Sequence, residues 1–206
     1  MIRVEDVKRR NDKIIQQRFG ISVIYNTNQD DTLNQEMCVY SKKIDAIFPN
    51  CFVWYPNWHM TLIRCESVEF PFKVKSNDSF YKQMVNELKI QPQIKLKYTH
   101  SRIDSDGVIR CFFSKTNWGE LCAVKNFYMS KNLNYSIIEN PWIAIGNIIP
   151  EKCENVKRNI EKINCIINEN NIPDICIDIV DFTYYEDVLL RRSLSIGKVR
   201  LEGENI

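Results

Sequence analysis

Amphipathic helices alternate with short apolar stretches along the whole of this 206-residue chain. The clearest helix pattern covers 33–47, where apolar residues recur every three or four positions up to Pro49. Stretches such as 21–25 and 51–55 have the length and composition of buried strands. Because some successive strands are separated only by a turn, as at 104–107, antiparallel pairing is favoured. The pattern predicts an α+β protein with two similar halves rather than a parallel doubly wound sheet.

The other elements follow from the same periodicities. Further helices are predicted at 4–19, 77–89, 117–133 and 150–170, and further strands at 59–65, 92–98, 108–114, 142–149, 175–184 and 188–201. Gly20 is expected to end the first helix, and Pro150 to begin the last. No linker or low-complexity segment divides the chain, so we expect one domain covering 1–206.

Composition excludes several classes of protein. The chain is 44% hydrophobic with a net charge of +2, which excludes disorder, and no apolar run approaches the roughly 18 residues of a membrane helix. The first six residues do not resemble a signal peptide. Eight cysteines, none closer than eleven positions to another, argue against a zinc ribbon or a dithiol redox site. We therefore expect a cytoplasmic protein with free, mostly buried cysteines, no membrane partner, no metal and no cofactor.

The segment 55–64, with the sequence YPNWHMTLIR, carries the one local pattern that suggests chemistry. Alternate residues of a strand share a face, so the two faces are His59, Thr61 and Ile63, and Met60, Leu62 and Arg64. An imidazole can move a proton, and a hydroxyl beside it can donate a hydrogen bond to a phosphate oxygen. The pattern is consistent with His59 and Thr61 contacting one phosphate in a cleft. A strand-end histidine beside a β-branched residue produces the same pattern.

With the long helix and the proline-containing turn before it, this segment resembles the first motif of the two-histidine (2H) phosphoesterase superfamily. That superfamily includes RNA 2′,3′-cyclic phosphodiesterases, also described as 2′-5′ RNA ligases, and cyclic-nucleotide phosphodiesterases. The resemblance implies two pseudo-symmetric lobes with antiparallel sheets around a central groove, each lobe giving one His-x-Thr/Ser strand. It also implies a second such strand some 80 residues after the first, followed by a helix and closing strands.

The implied second strand is present at 141–148, but its motif is degenerate. Trp142 stands where the resemblance implies histidine, and Ala144 where it implies threonine or serine. The chemistry that the resemblance implies needs two proton-transfer groups, each contributing about 10²–10⁴-fold in rate, and an indole N–H cannot replace one. Trp142 offers a flat surface on which a base could stack, worth about 1–3 kcal/mol. It could equally fill the space of an unused groove.

The sequence therefore predicts binding of a nucleotide, a cyclic (oligo)nucleotide or an RNA end in the groove, with weak or no hydrolysis. His59 and Thr61 are the candidate catalytic residues, and Trp142 joins them as a ligand-binding residue. Two alternatives stay open: an active cyclic phosphodiesterase that uses His59 and a second group, and an interaction protein with no groove ligand. His100, after the predicted strand 92–98, is expected to be a turn histidine unless that strand end enters the groove.

Overall fold

The structure, a computed structural model, describes the following ranges of the chain: 2–67, 77–114, 134–138, 140–169, 172–187 and 189–203. The described residues form an α+β protein with eleven strands and five α-helices, which confirms the predicted fold class. The helix predicted at 117–133 lies outside the described residues.

The helices are α1 (Val4–Ile15), α2 (Asp31–Ile47), α3 (Ser79–Lys89), α4 (Cys153–Arg158) and α5 (Ile160–Asn168). The strands are β1 (Phe19–Asn26), β2 (Phe52–Trp54), β3 (His59–Ser67), β4 (Ile94–Leu96), β5 (Tyr98–Ile103), β6 (Val108–Phe113), β7 (Asn134–Ile137), β8 (Trp142–Ile148), β9 (Ile175–Ile177), β10 (Ile179–Tyr185) and β11 (Ser193–Arg200). Short 3₁₀ turns at Thr27–Gln29 and Pro150–Lys152 precede α2 and α4.

Nine of these strands form one sheet, in which every strand pair is antiparallel as predicted. Seven of them follow the order β11-β10-β1-β3-β8-β6-β5, while β2 pairs with β8 and β7 pairs with β3. The central strands β3 and β8 face each other at one residue pair, Met60 opposite Ile143. Beyond that pair, β3 continues beside β7 and β8 continues beside β2. Strands β4 and β9 form a separate two-stranded sheet.

Helix α2 illustrates how the predicted helices pack. Its apolar stripe of Leu33, Met37, Tyr40 and Ile44 is completely buried in the core cluster formed with the main sheet. The Asp30 carboxylate accepts a hydrogen bond from the Leu33 N–H and so caps the helix N-terminus. Each such buried side chain contributes about 1.5–3 kcal/mol of apolar burial. The spacing rule therefore identified this helix and most of its buried face, although Ile47, the last residue of the predicted stripe, is exposed.

The predicted end of the first helix was wrong. Helix α1 ends at Ile15, and Gly20 lies within β1 rather than after a helix C-terminus. Gly20 pairs with Tyr185 on one side and with Glu66 on the other. Backbone pairing on both sides of β1 therefore outweighs the tendency of glycine to end helices.

The single helix predicted at 150–170 is divided. A 3₁₀ turn starts at Pro150, and α4 and α5 are separated at Asn159, whose side-chain amide donates to the Asn155 carbonyl at 2.9 Å. Short amide side chains compete in this way with the helical backbone bonds. The apolar stripe survives the break, because Val156 and Ile163 are both fully buried.

Two predicted strands also divide, because their two parts pair in different sheets. The strand predicted at 92–98 separates at Lys97 into β4 and β5, and the strand at 175–184 separates at Asp178 into β9 and β10. In each case the first part joins the small sheet and the second part joins the main sheet.

The prediction of free, mostly buried cysteines was confirmed only in part. The six cysteines whose side chains the structure describes are free, but three of them are exposed, so the expectation of mostly buried thiols was only half right. Within the described ranges, none of the helices has the length and apolar character needed to cross a membrane. The described side chains also contain no cluster of three potential metal ligands.

We expect Gly146→Ala to destabilise the fold where β8 meets β2. An added Cβ would lie 2.7 Å from the Val53 carbonyl oxygen and 2.8 Å from the Trp54 ring, closer than real contacts allow. The variant should lower the free energy of unfolding by about 1–3 kcal/mol, measured by urea denaturation. Unchanged stability would mean that β2 does not hold β8 in place.

Candidate functional site

A cavity of about 110 Å³, called here the central cavity, lies along β3 and β8. Its walls include all four motif positions identified from the sequence: His59, Thr61, Trp142 and Ala144. The two strands therefore bring together side chains more than 80 positions apart, on the face that strand alternation predicted. Of the described residues that line it, none is acidic, while two are arginines.

One of those arginines, Arg64, was predicted on the opposite, core-facing side of β3. Two consecutive residues of β1 pair with Thr61 and Ile63 of β3. Leu62 therefore has no partner in β1 and is an extra residue in β3. Such a bulge reverses the alternation of side chains beyond it. Ile63 is consequently buried, and Arg64 lines the central cavity.

Strand β8 has a comparable irregularity one residue after Ala144. Its pairing with β6 passes from Ala144 to Gly146 and skips Ile145. The Ile145 carbonyl instead accepts hydrogen bonds from the Tyr55 N–H at 2.9 Å and from the Trp58 indole N–H at 3.2 Å. The bulge thus anchors the loop that precedes His59 and places Tyr55 in the cavity wall.

His59 is positioned to accept a proton at one ring nitrogen. Its Nδ1 lies 3.2 Å from the Asn57 carbonyl, and because a carbonyl only accepts, Nδ1 carries the hydrogen. Nε2 has no hydrogen-bond partner among the described residues. Burial lowers the pKa of His59, although the bond to Asn57 opposes this. The imidazole is therefore neutral at neutral pH, and no described residue occupies the Nε2 lone pair.

Arg10 and Tyr55 also line the central cavity, and sequence reasoning missed both. The Arg10 Nε and the Tyr55 hydroxyl are buried, and neither makes a hydrogen bond of good geometry within the described ranges, although Arg10 lies near enough to Tyr55 for a weak one. Tyr55 is only 5% exposed and packs in a small cluster with Ala144. Burial raises the pKa of Tyr55 despite the nearby charge of Arg10, so the phenol keeps its proton. Unpaired buried donors cost about 1–3 kcal/mol each, and a ligand that accepts hydrogen bonds would offset that cost.

Trp142 is clamped on one side by a cation. The Arg110 guanidinium carbon lies 4.8 Å from the centre of the indole ring, and Arg110 is itself ion-paired with Asp104 and Asp106. Such cation–π contacts are worth about 0.5–2 kcal/mol. Trp142 remains partly exposed and borders the cavity, so a stacking ligand would have to use the ring surface that Arg110 leaves open.

The loop after β10 covers the cavity with apolar side chains. Asp187 is almost fully buried, and its carboxylate accepts hydrogen bonds from the backbone N–H groups of Leu189 and Arg191. This arrangement folds the loop so that Leu189 and Leu190 line the cavity. The Arg191 guanidinium also donates to the Ile14 carbonyl at 3.0 Å. The loop is thereby joined to α1, the helix that supplies Arg10.

His100 is outside the central cavity. It is exposed within β5, rather than in a turn as predicted, and its ring stacks on Phe112 with centroids 4.9 Å apart. Strand β5 ends the main sheet order, two strands from β8. The end of the predicted strand therefore does not bring His100 into the central cavity beside Trp142.

The wall of the central cavity as a whole suits an anion. It combines guanidinium groups, protonated hydroxyls and a neutral imidazole, and the described wall has no negative side chain. The chain matches no protein-family model and no curated protein. The residues of the cavity are accordingly the basis for assigning its function.

We expect the stability of the protein to fall as the pH is lowered from about 7 to 5. An unfolded histidine titrates near pH 6.5, whereas the folded pKa of His59 is lower, so the unfolded state binds more protons in this window. His59→Gln should flatten the dependence of the free energy of unfolding on pH, measured by denaturation at several pH values. The exposed His100→Gln is the matched control. Equal pH slopes for wild type and His59→Gln would contradict the expectation.

Proposed function

We propose that the central cavity binds a phosphodiester ligand, such as a nucleotide, a cyclic (oligo)nucleotide or an RNA end, with weak or no hydrolysis. The observation that carries the proposal is that His59 and Thr61 share one cavity with Arg10 and Arg64, and that the described wall has no carboxylate. A cavity lined by one sign of charge attracts the opposite charge.

The free donors in the wall match the acceptors of a phosphate. Guanidinium groups present paired N–H donors that fit phosphate oxygens, and the Arg10 Nε is unpaired. Tyr55, whose hydroxyl makes no hydrogen bond of good geometry within the described ranges, packs beside Ala144, the position at which the 2H resemblance implies a threonine or serine. A bound anion would give both groups a partner, and the Thr61 hydroxyl could donate to the same group.

The proton-transfer groups favour binding over turnover. The neutral His59 can accept a proton from an attacking hydroxyl through Nε2. No equivalent group stands at position 142, because the Trp142 indole cannot exchange protons near neutral pH. The Tyr55 phenol suits a binding donor better than an acid, since burial raises its pKa. Loss of one proton-transfer group costs about 10²–10⁴-fold in rate.

We further propose that the chain is one bilobal domain of the 2H phosphoesterase type, with two lobes related by an approximate two-fold axis. The paired Met60 and Ile143 are each the middle residue of their motif. Ile137 lies 83 positions after Trp54, and Gly146 lies 83 positions after Ile63. The strand pair of Trp54 with Gly146 is therefore equivalent to the strand pair of Ile137 with Ile63, with each residue replaced by the one 83 positions away.

Other elements repeat at almost the same interval. Strands β4 and β9 begin 81 positions apart, as do β5 and β10. Strands β4 and β9 also pair with each other, and the central residues of this pairing, Lys95 and Cys176, are 81 positions apart. The bulges fall at matching places, one residue after Thr61 and one residue after Ala144. These repeats support the two-lobed arrangement independently of the motif residues.

Arg10→Met should weaken ligand binding at least tenfold, because it removes a charged donor worth about 1.5–3 kcal/mol. Calorimetry with 3′,5′-cyclic AMP, cyclic di-GMP and an RNA oligonucleotide ending in a 2′,3′-cyclic phosphate would measure this. Arg9→Met is the matched control, since Arg9 is exposed, pairs with Asp6 and does not line the central cavity. If none of these probes binds the wild-type protein, the alternative of an interaction protein with no groove ligand is favoured instead.

Restoring the second motif should restore turnover. We expect the double variant Trp142→His/Ala144→Thr to hydrolyse a 2′,3′-cyclic phosphate at least about 10²-fold faster than wild type. Adding His59→Ala should abolish that gain, and chromatographic product assays would measure all three proteins. Efficient wild-type hydrolysis that depends on His59 and is lost in Tyr55→Phe would instead support the phosphodiesterase alternative, with Tyr55 as the second group.

A further inference from the structure

A second cavity, called here the side cavity, adjoins the central cavity and has a volume of about 190 Å³. His59 and Leu190 line both cavities. We propose that the side cavity binds the hydroxyl-bearing sugar attached to the phosphate, so that the protein prefers ribonucleotide to deoxyribonucleotide ligands. This inference rests on the proposed function of the central cavity.

Asp181 is the one acidic side chain in the described wall of the side cavity. Asp181 is only 6% exposed, and its side chain is a carboxylate. Oδ1 accepts hydrogen bonds from the Thr183 hydroxyl at 2.9 Å and from the Ser195 hydroxyl at 2.7 Å. Oδ2 accepts none from the residues that the structure describes. Oδ2 is not among the fully enclosed side-chain atoms that lack a partner, so it can accept hydrogen bonds from a ligand in the side cavity.

The rest of the described wall of the side cavity combines uncharged polar side chains with the apolar Ile24, Trp58 and Leu190. Amide and hydroxyl groups of Asn26, Asn57 and Ser193 line it, and no lysine or arginine appears among its described wall residues. The carboxylate would repel a second phosphate, whereas it would accept hydrogen bonds from hydroxyl groups. The two neighbouring cavities therefore have opposite preferences, one for an anion and one for hydrogen-bond donors.

The shared wall suggests how one ligand would occupy both cavities. A phosphate that contacts His59 in the central cavity lies at the boundary with the side cavity. In a nucleotide the sugar is joined directly to the phosphate through ester oxygens, so the sugar is the part that would cross this boundary. A ribose 2′-hydroxyl both donates and accepts hydrogen bonds, and it could donate to Asp181.

Calorimetry with three probes tests this inference: the dinucleotide UpU, its deoxy counterpart dUpdU, and inorganic phosphate. We expect wild type to bind UpU at least tenfold more tightly than dUpdU. Asp181→Asn replaces one acceptor oxygen with a donor, and it should bring the ratio of the two affinities close to one. The ratio is the readout because the altered charge affects the binding of both dinucleotides alike.

Asp178→Asn is the matched control, because Asp178 is 42% exposed, pairs with Arg200 and lies outside the side cavity. It should leave the ratio unchanged. Ser195→Ala should lower the ratio as well, and it keeps the test decisive if Asp181→Asn does not fold. Equal binding of UpU and dUpdU by wild type, or an unchanged ratio in both side-cavity variants, would overturn the sugar subsite while leaving the phosphate site intact. Failure of wild type to bind any of the three probes would overturn the phosphate site itself.

Discussion

The contact between Met60 and Ile143 is the constraint on which the rest of the site depends. Both side chains are completely buried, and they form the residue pair at which β3 and β8 face each other. Because side chains alternate along a strand, burying these two residues turns the residues on either side of each toward the opposite face. The same packing that stabilises the sheet therefore places four motif positions around one cavity.

Local periodicity was enough to predict α2, the central strands and the cavity-facing positions 59 and 61, whereas positions 142 and 144 were found through the resemblance to the 2H motif. It could not predict Arg64, because the bulge at Leu62 is a property of the pairing with β1 and leaves no signature in the segment itself. Arg10 was hidden for a different reason. It belongs to a short basic cluster typical of a solvated surface, and it reaches the cavity only because α1 docks through contacts such as the bond from the Asn11 amide to the Ile148 carbonyl, 137 positions away.

The distribution of charge would orient a ligand as well as attract it. Arg10 and Arg64 line the central cavity, whereas Asp181 lines its neighbour. A ligand with an anion at one end and hydrogen-bond donors at the other would bind more tightly in one orientation than in the reverse. Trp142, held by Arg110 on one ring face, adds a flat wall whose position does not depend on the ligand. Together these features would favour one orientation of a bound ligand over the reverse.

The wall of the central cavity comes from widely separated parts of the chain, from Arg10 in the first helix to Leu190 near the C-terminal strand. These parts meet where the Arg191 guanidinium reaches the Ile14 carbonyl. An occupant of the cavity would act as a non-covalent cross-link between both ends of the sequence, and it would bind only the folded chain. At a hundred times its dissociation constant it would add about 2.7 kcal/mol to the stability of the fold. The persistence of the protein under proteolysis would then depend on how much ligand is present.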